Sequence, residues 1–181
     1  MKVKKYTIWV GVMLAFLLGA CEMLECDSPM GQPIYFEYHY TNHAWGYHEN
    51  GWIIDREGNI RSFNLPVDFR YPDSTGYLTI GDLEHNLALT DSIVGDVDES
   101  EFEQYIDYIP AAAEGEIGKS KSIAADAGAS VLSCYLYDKE KDAYKYVFLA
   151  QSGDWEQFNL SPEAEILVDW LLDFDVFWLS E

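Results

Sequence analysis

Residues 34–41 alternate between two sets of side chains, and this alternation constrains the fold more than any other feature of the sequence. One set is Ile34, Phe36, Tyr38 and Tyr40, and the other is Tyr35, Glu37, His39 and Thr41. A period of two, built from β-branched and aromatic residues, predicts a β-strand with two differently covered faces. A strand of this kind needs hydrogen-bonded neighbours, so the rest of the chain must supply a sheet.

Two hairpins are predicted to supply those neighbours. The segments "GWIID" and "NIRSFNL" flank "REG", which predicts a hairpin over about residues 51–65, with its turn near residues 57–59 and its end at Pro66. The segments "SVLSCYLY" and "AYKYVFLA" flank the charged turn "DKEKD" and predict a second hairpin. The Ala-, Gly- and Ser-rich residues 111–130 are predicted to be a connection.

Two segments have helical spacing and recognisable caps. The first has apolar residues at i, i+3, i+4 and i+7 from Phe102, with Asp98 and Glu101 as a capping box and Pro110 as its end. The second begins with Ser161 as cap and Pro162 as first residue. Its predicted core face is Leu167, Val168, Leu171, Leu172 and Phe174. Residues 79–94 fit either a helix capped by Thr79 or a strand.

These elements predict one α+β domain over residues 34–181. Its expected architecture is an antiparallel β-sheet built from hairpins, with two or three helices packed on one face. The tail "VFWLSE" is apolar enough that we expect it to pack on the domain.

The amino-terminal residues predict export. Lys2, Lys4 and Lys5 precede an apolar segment from Ile8 to Leu18 that is interrupted by Gly11. This segment is too short for a transmembrane helix, which needs about 20 apolar residues. A basic flank, a short apolar core and small residues after it are typical of a secretory signal. Taken alone, these features leave a simple cleaved signal open.

The next four residues, "LGAC" from Leu18 to Cys21, resemble the lipobox of bacterial lipoprotein precursors. The resemblance covers residues 1–21. It implies that residues 1–20 are a cleaved signal peptide and that Cys21 carries a covalent lipid. Residues 21–33 have no periodicity and contain two prolines and a glycine, which predicts a flexible tether. In that family an Asp after the cysteine favours retention at the inner membrane. Because Glu22 stands there, the outer membrane is expected if the host has one.

The charge of the chain restricts its partners. The formal net charge is -21, and removal of residues 1–20 takes away three lysines and no acid, which makes it -24. Such a negative field repels phosphate backbones, so nucleic acid is not expected as a partner. The leading hypothesis is a non-catalytic, lipid-anchored binding module for an envelope protein or polymer. Adaptation of the host to salt would give the same acidity without functional meaning.

The stretch "YHYTNHAWGYHENGW" holds the candidate site residues. His39, His43 and His48 are candidate metal ligands, and with them the alternative function is an extracytoplasmic metal-binding protein or enzyme. The spacing matches no metal motif, so no cofactor other than the lipid is predicted, and no catalytic residue is assigned. A platform for a sugar or peptide is the second possibility for this stretch, formed by Trp45, Tyr47 and Trp52.

The cysteines leave one question open. With Cys21 lipidated, Cys26 and Cys134 remain, and an oxidising compartment permits a disulfide between them. Cys134 lies in an apolar strand pattern, so a buried free thiol is the alternative.

Overall fold

A computed structural model of the protein describes residues 31–44 and 46–174. Nine strands lie within these residues: β1 (Ile34–Asn42), β2 (His48–Asp55), β3 (Asn59–Asn64), β4 (Tyr77–Leu78), β5 (Ser92–Asp96), β6 (Lys121–Ser122), β7 (Ala129–Asp138), β8 (Ala143–Gly153) and β9 (Trp155–Phe158). Four helices accompany them: α1 (Ile80–Ala88), α2 (Glu99–Ile106), α3 (Ile109–Ala112) and α4 (Pro162–Leu172).

The strands form one antiparallel sheet in the order β5-β3-β2-β1-β7-β8-β9-β6, and β4 pairs with β8. Both predicted hairpins are present as β2–β3 and β7–β8. The alternating segment became the central strand β1, which pairs with β2 on one side and β7 on the other. The α+β class and the antiparallel sheet are therefore confirmed.

Each face of the sheet has its own apolar core. Helices α2, α3 and α4 pack on one face, where Phe36 and Ile54 lie among the buried residues. The short helix α1 packs on the other face through Leu83, against Ile53 and Tyr135. Three helices share one face as predicted, and α1 adds a layer on the opposite face that the sequence did not predict.

The segment left open at residues 79–94 contains both alternatives. Thr79 caps α1: its hydroxyl accepts a hydrogen bond from the Asp82 amide, and the Asp82 carboxylate accepts one from the Thr79 amide. This reciprocal pair starts the helix, and the strand β5 follows it.

The predicted start of α2 is correct and its predicted end is wrong. Asp98 accepts hydrogen bonds from the Ser100 and Glu101 amides. The Glu101 carboxylate does not complete a capping box, because it accepts a hydrogen bond from the Trp170 indole at 2.8 Å. The helix ends at Ile106, and Pro110 lies in the first turn of α3, where its missing N–H costs nothing.

Helix α4 begins at Ser161 and Pro162 as predicted, but its core face is rotated from the predicted one. Leu167 and Leu171 are fully buried, together with Trp170. Leu172 is 55% exposed, because it lies about 100° around the helix from Leu171. The tail after residue 174 lies outside the described residues.

The folded domain includes two residues that the sequence places in the tether, since Gln32 and Pro33 are both buried. Gln32 is 3% exposed, and its side-chain amide donates hydrogen bonds to the backbone oxygens of Ile34 and Tyr135. Residues 111–130 also contribute to the fold, since they contain the end of α3 and the strand β6.

Candidate functional site

Three ionisable side chains meet on the α1 side of the sheet. The alternation of β1 puts Glu37 and His39 on the same face. In the β1–β2 register His39 lies opposite Gly51 and Thr41 lies opposite Glu49, so Glu49 is a diagonal neighbour of His39. The three side chains are buried, with exposed fractions of 4% for Glu37, 7% for His39 and 3% for Glu49.

His39 bridges the two carboxylates. Its Nδ1 lies 3.0 Å from Glu37 Oε1, and its Nε2 lies 2.9 Å from Glu49 Oε1. A neutral imidazole carries one N–H, whereas an imidazolium carries two. Both nitrogens face ionisable carboxylates, so the geometry favours the imidazolium, and Glu37, His39 and Glu49 together carry a net charge of -1.

Three tyrosines complete this buried network by donating to the carboxylates. The Tyr135 hydroxyl donates to Glu37 Oε2 at 2.5 Å, and the Tyr71 hydroxyl donates to Glu49 Oε1 at 2.5 Å. The Tyr47 hydroxyl donates to Glu49 Oε2. Each carboxylate oxygen therefore accepts at least one hydrogen bond, which is the condition under which buried charges are tolerated.

Apolar rings surround the imidazole. The Phe69 ring meets it edge-on with 4.9 Å between ring centroids, and the Phe63 ring lies at 5.2 Å. These rings shield the His39 imidazole from water and strengthen its hydrogen bonds to the two carboxylates.

The environment shifts the pKa values of the network in opposite directions. Burial opposes the charge of His39, but the hydrogen bonds and negative charges of Glu37 and Glu49 outweigh it and raise the pKa of His39. Burial also opposes the charge of Glu49, yet hydrogen bonds from Tyr47 and Tyr71 and the charge of His39 lower its pKa. The hydrogen bond to Glu49 raises the pKa of Tyr47 to about 12.

These shifts predict a pH optimum for the stability that the network contributes. The raised pKa of His39 contributes stability below about pH 6.5, its unfolded value, and this is lost as pH rises through the folded pKa. The lowered pKa of Glu49 contributes above about pH 4.3 and is lost as pH falls through its folded pKa. Between these two pH values, the stability contributed by His39 and the stability contributed by Glu49 are both fully present.

Urea unfolding of the wild type and of His39→Gln across this range measures the effect. We expect the difference in unfolding free energy to be greatest between about pH 4.3 and pH 6.5 and to decrease on both sides. The exposed His48, replaced by glutamine, serves as the control and should show no such maximum. A difference that grows steadily towards pH 9 would contradict a charged His39.

The three predicted metal ligands do not converge. The nitrogens of His39 point to Glu37 and Glu49 on opposite sides of its ring, so these carboxylates cannot both join His39 around one ion. His43 and His48 are exposed, and the His43 ring lies tilted against that of Tyr47 with 5.0 Å between centroids. Residues 31–44 and 46–174 contain no group of three or more His, Cys, Asp or Glu side chains suited to a metal ion.

The residues of the predicted aromatic platform do not form one exposed surface. Trp52 is 2% exposed and packs against Tyr38 in the core, with 5.8 Å between ring centroids. Tyr47 is 51% exposed and lies over Glu49. Trp45 lies outside the described residues. Of the two described members, Tyr47 alone is exposed to a ligand.

A pocket that the sequence did not predict opens at the end of the sheet nearest this stretch. It lies where the end of β1, the start of β7 and the β8–β9 turn meet, and its volume is about 400 Å³. We call it the rim pocket, and its principal lining residues are Thr41, Asn42, His43, Asp126, Asp154 and Trp155. This volume is within the range of small-ligand sites.

Trp155 is the most prominent side chain of the rim pocket. It is 49% exposed and is the first residue of β9, directly after the Gly153–Asp154 turn. The sequence contains one indication of this exposed position. A tryptophan that directly follows a turn is not needed to fill the core, so its side chain is free to line a surface site. Asp126 and His43 reach the same pocket from other segments, which no local pattern predicts.

Cys134 has no exposed surface and no disulfide partner among residues 31–44 and 46–174, and burial raises its pKa. The choice between a disulfide with Cys26 and a free thiol stays open. Cys21 and Cys26 lie outside the described residues, so lipidation of Cys21 stays a prediction.

Comparison of the chain with protein-family models, with curated proteins and with solved structures finds no match. Within the described residues, no helix has the length and apolar character needed to cross a bilayer.

Proposed function

We propose that this protein is a lipid-anchored, extracytoplasmic binding module that recognises an envelope protein or polymer without catalysing a reaction. The lipid anchor is inferred from "LGAC" at residues 18–21, which follows a basic flank and a short apolar segment. Two or three acyl chains on Cys21 would hold the domain firmly, since one chain alone binds a bilayer only marginally.

The shape of the domain supports binding. The rim pocket presents Trp155, which is half-exposed, beside the carboxylates of Asp126 and Asp154. A concave site with an aromatic wall and a few polar groups is the usual form of a ligand site. The buried network does not offer a comparable site, because both nitrogens of His39 are engaged within the protein. Its role is to hold the Tyr47 and Tyr71 loops against the sheet.

Lipidation is tested by growing bacteria that express the full-length protein with labelled palmitate. We expect label in the wild-type protein and a mature chain that begins at Cys21. The Cys21→Ser variant should lose the label and keep its signal peptide. Cys26→Ser is the matched control, five residues downstream, and should retain the label. An exported wild-type chain without label, or one that begins at another residue, would contradict the proposal.

A further inference from the structure

We propose that the rim pocket binds an organic cation, an ammonium or guanidinium group carried on a flexible stem, as in a basic segment of a partner protein. The cation would lie against the Trp155 indole and between the carboxylates of Asp126 and Asp154. This inference rests on the proposed function as a binding module and names the ligand class of its site.

The charge of the pocket favours a cation. Two aspartates, Asp126 and Asp154, line the pocket together with His43, and the described lining residues include no lysine or arginine. Asp154 uses Oδ1 to accept a hydrogen bond from the Ala127 amide at 2.8 Å. The Asp126 carboxylate has no hydrogen-bond or ion-pair partner among residues 31–44 and 46–174. It is therefore available to a charged donor from a ligand.

The rest of the protein adds to this preference. The formal charge of -24 without the signal peptide creates a negative potential that raises the local concentration of cations and repels anions. A neutral sugar could stack on Trp155 and donate a hydroxyl hydrogen bond to Asp126, but it would leave the negative charge of the carboxylate unneutralised.

The aromatic wall supplies the second interaction. Trp155 is 49% exposed at the mouth of the pocket. A cation within about 6 Å of an indole centroid gains about 0.5–2 kcal/mol from the ring quadrupole. A lysine or arginine side chain can place its stem along the ring and its charged end between the carboxylates.

The pocket is formed before a ligand arrives. The Asn42 side-chain amide donates to the Asp126 backbone oxygen at 3.2 Å, and the Asp154 amide donates to the Gly128 oxygen at 2.7 Å. Gly153 has a φ of +113°, and a Cβ there would lie 2.2 Å from the Gly128 oxygen. This close approach of two turns holds Asp126 and Asp154 in place, which reduces the entropy lost on binding.

Calorimetric titration of the full-length protein tests the inference. The probes are a trilysine peptide capped at both ends, the same peptide with acetylated side chains, spermidine and a neutral oligosaccharide. The titration is run at about 150 mM salt, where the Debye length of about 8 Å screens distant charges. We expect the capped trilysine to bind and its acetylated form not to bind. Tighter binding of spermidine than of the peptide would support a cation site in the rim pocket and would indicate that its ligand is a free amine.

Matched variants separate the pocket from the general acidity of the chain. Trp155→Ala should weaken trilysine binding about tenfold, in the upper part of the range for a cation–π contact. Asp126→Asn removes a charged hydrogen-bond acceptor and should also weaken binding about tenfold. Asp91→Asn removes the same charge at an exposed position outside the pocket and should change the affinity less than about twofold. Circular dichroism of each variant confirms that it is folded.

Three results would overturn the inference. Equal losses from Asp126→Asn and Asp91→Asn would show diffuse attraction to the whole surface. Binding of the neutral oligosaccharide alone, dependent on Trp155, would overturn the cationic ligand and leave the binding module standing. If no probe bound in a Trp155-dependent way, both the ligand class and the pocket as the binding site would fail, and lipidation of Cys21 would be unaffected.

Discussion

Replacement of His39 by leucine is expected to destabilise the domain by about 3–5 kcal/mol at pH 7, which is the usual cost of leaving a buried charge without its partner. The imidazolium separates Glu37 and Glu49 and donates to one oxygen of each. Without it, two buried carboxylates face each other across an apolar side chain. One of them must then take up a proton or draw water into the core.

Urea unfolding at pH 7 measures this loss. His48→Leu is the control, because His48 is exposed and surface changes usually stay within about 0.5 kcal/mol. The triple variant His39→Leu, Glu37→Gln, Glu49→Gln should regain part of the loss, since it removes both orphaned charges. A loss of less than about 1 kcal/mol for His39→Leu alone would mean that the network is not charged as described.

Replacement of Gly51 by alanine is expected to cost about 3 kcal/mol, the upper part of the usual range for overpacking. Gly51 lies opposite His39 on β2, and a Cβ there would be 2.0 Å from the Tyr38 backbone oxygen and 2.6 Å from Phe63 Cζ. The first neighbour is backbone and cannot rotate away. The second, Phe63, is one of the rings that encloses the His39 imidazole, so its movement would also disturb the buried network.

Gly81→Ala provides the comparison for this substitution. A Cβ on Gly81 would lie 3.7 Å from Thr79 Oγ1, an ordinary contact, and alanine is favoured over glycine in a helix. We therefore expect Gly81→Ala to be neutral or to stabilise the protein by up to about 1 kcal/mol. Similar unfolding midpoints for the two variants would show that β1 and β2 can separate to admit a side chain.

The elements that the sequence predicted correctly are those with local causes. The alternation over residues 34–41, the turn chemistry of the two hairpins and the Ser161 cap each depend on residues a few positions apart. Where a local pattern competed with tertiary contacts, the prediction was less accurate. The local pattern predicts Glu101 as a cap partner of Asp98, but the Glu101 carboxylate accepts a hydrogen bond from the indole of Trp170, 69 positions along the chain.

The candidate sites show the same division. The sequence placed Glu37 and His39 on one face of a strand, and it marked the histidine-rich stretch as unusual. It did not indicate that Tyr135, 98 positions from Glu37, would donate to that carboxylate, or that Trp52 would be buried. The rim pocket joins turns that lie more than 80 positions from the end of β1.

The sequence by itself determined the strand β1, the two hairpins, the Ser161 cap and the acidic charge, because side-chain alternation, turn chemistry and charge are properties of short segments. The anchor at Cys21 stays a prediction. Only the tertiary structure decided that β1 lies between β2 and β7, that His39 lies between two carboxylates, and that Trp155 and Asp126 line the same pocket. These arrangements depend on which distant segments bury their apolar faces together, and many pairings satisfy the same local rules until one packs without voids.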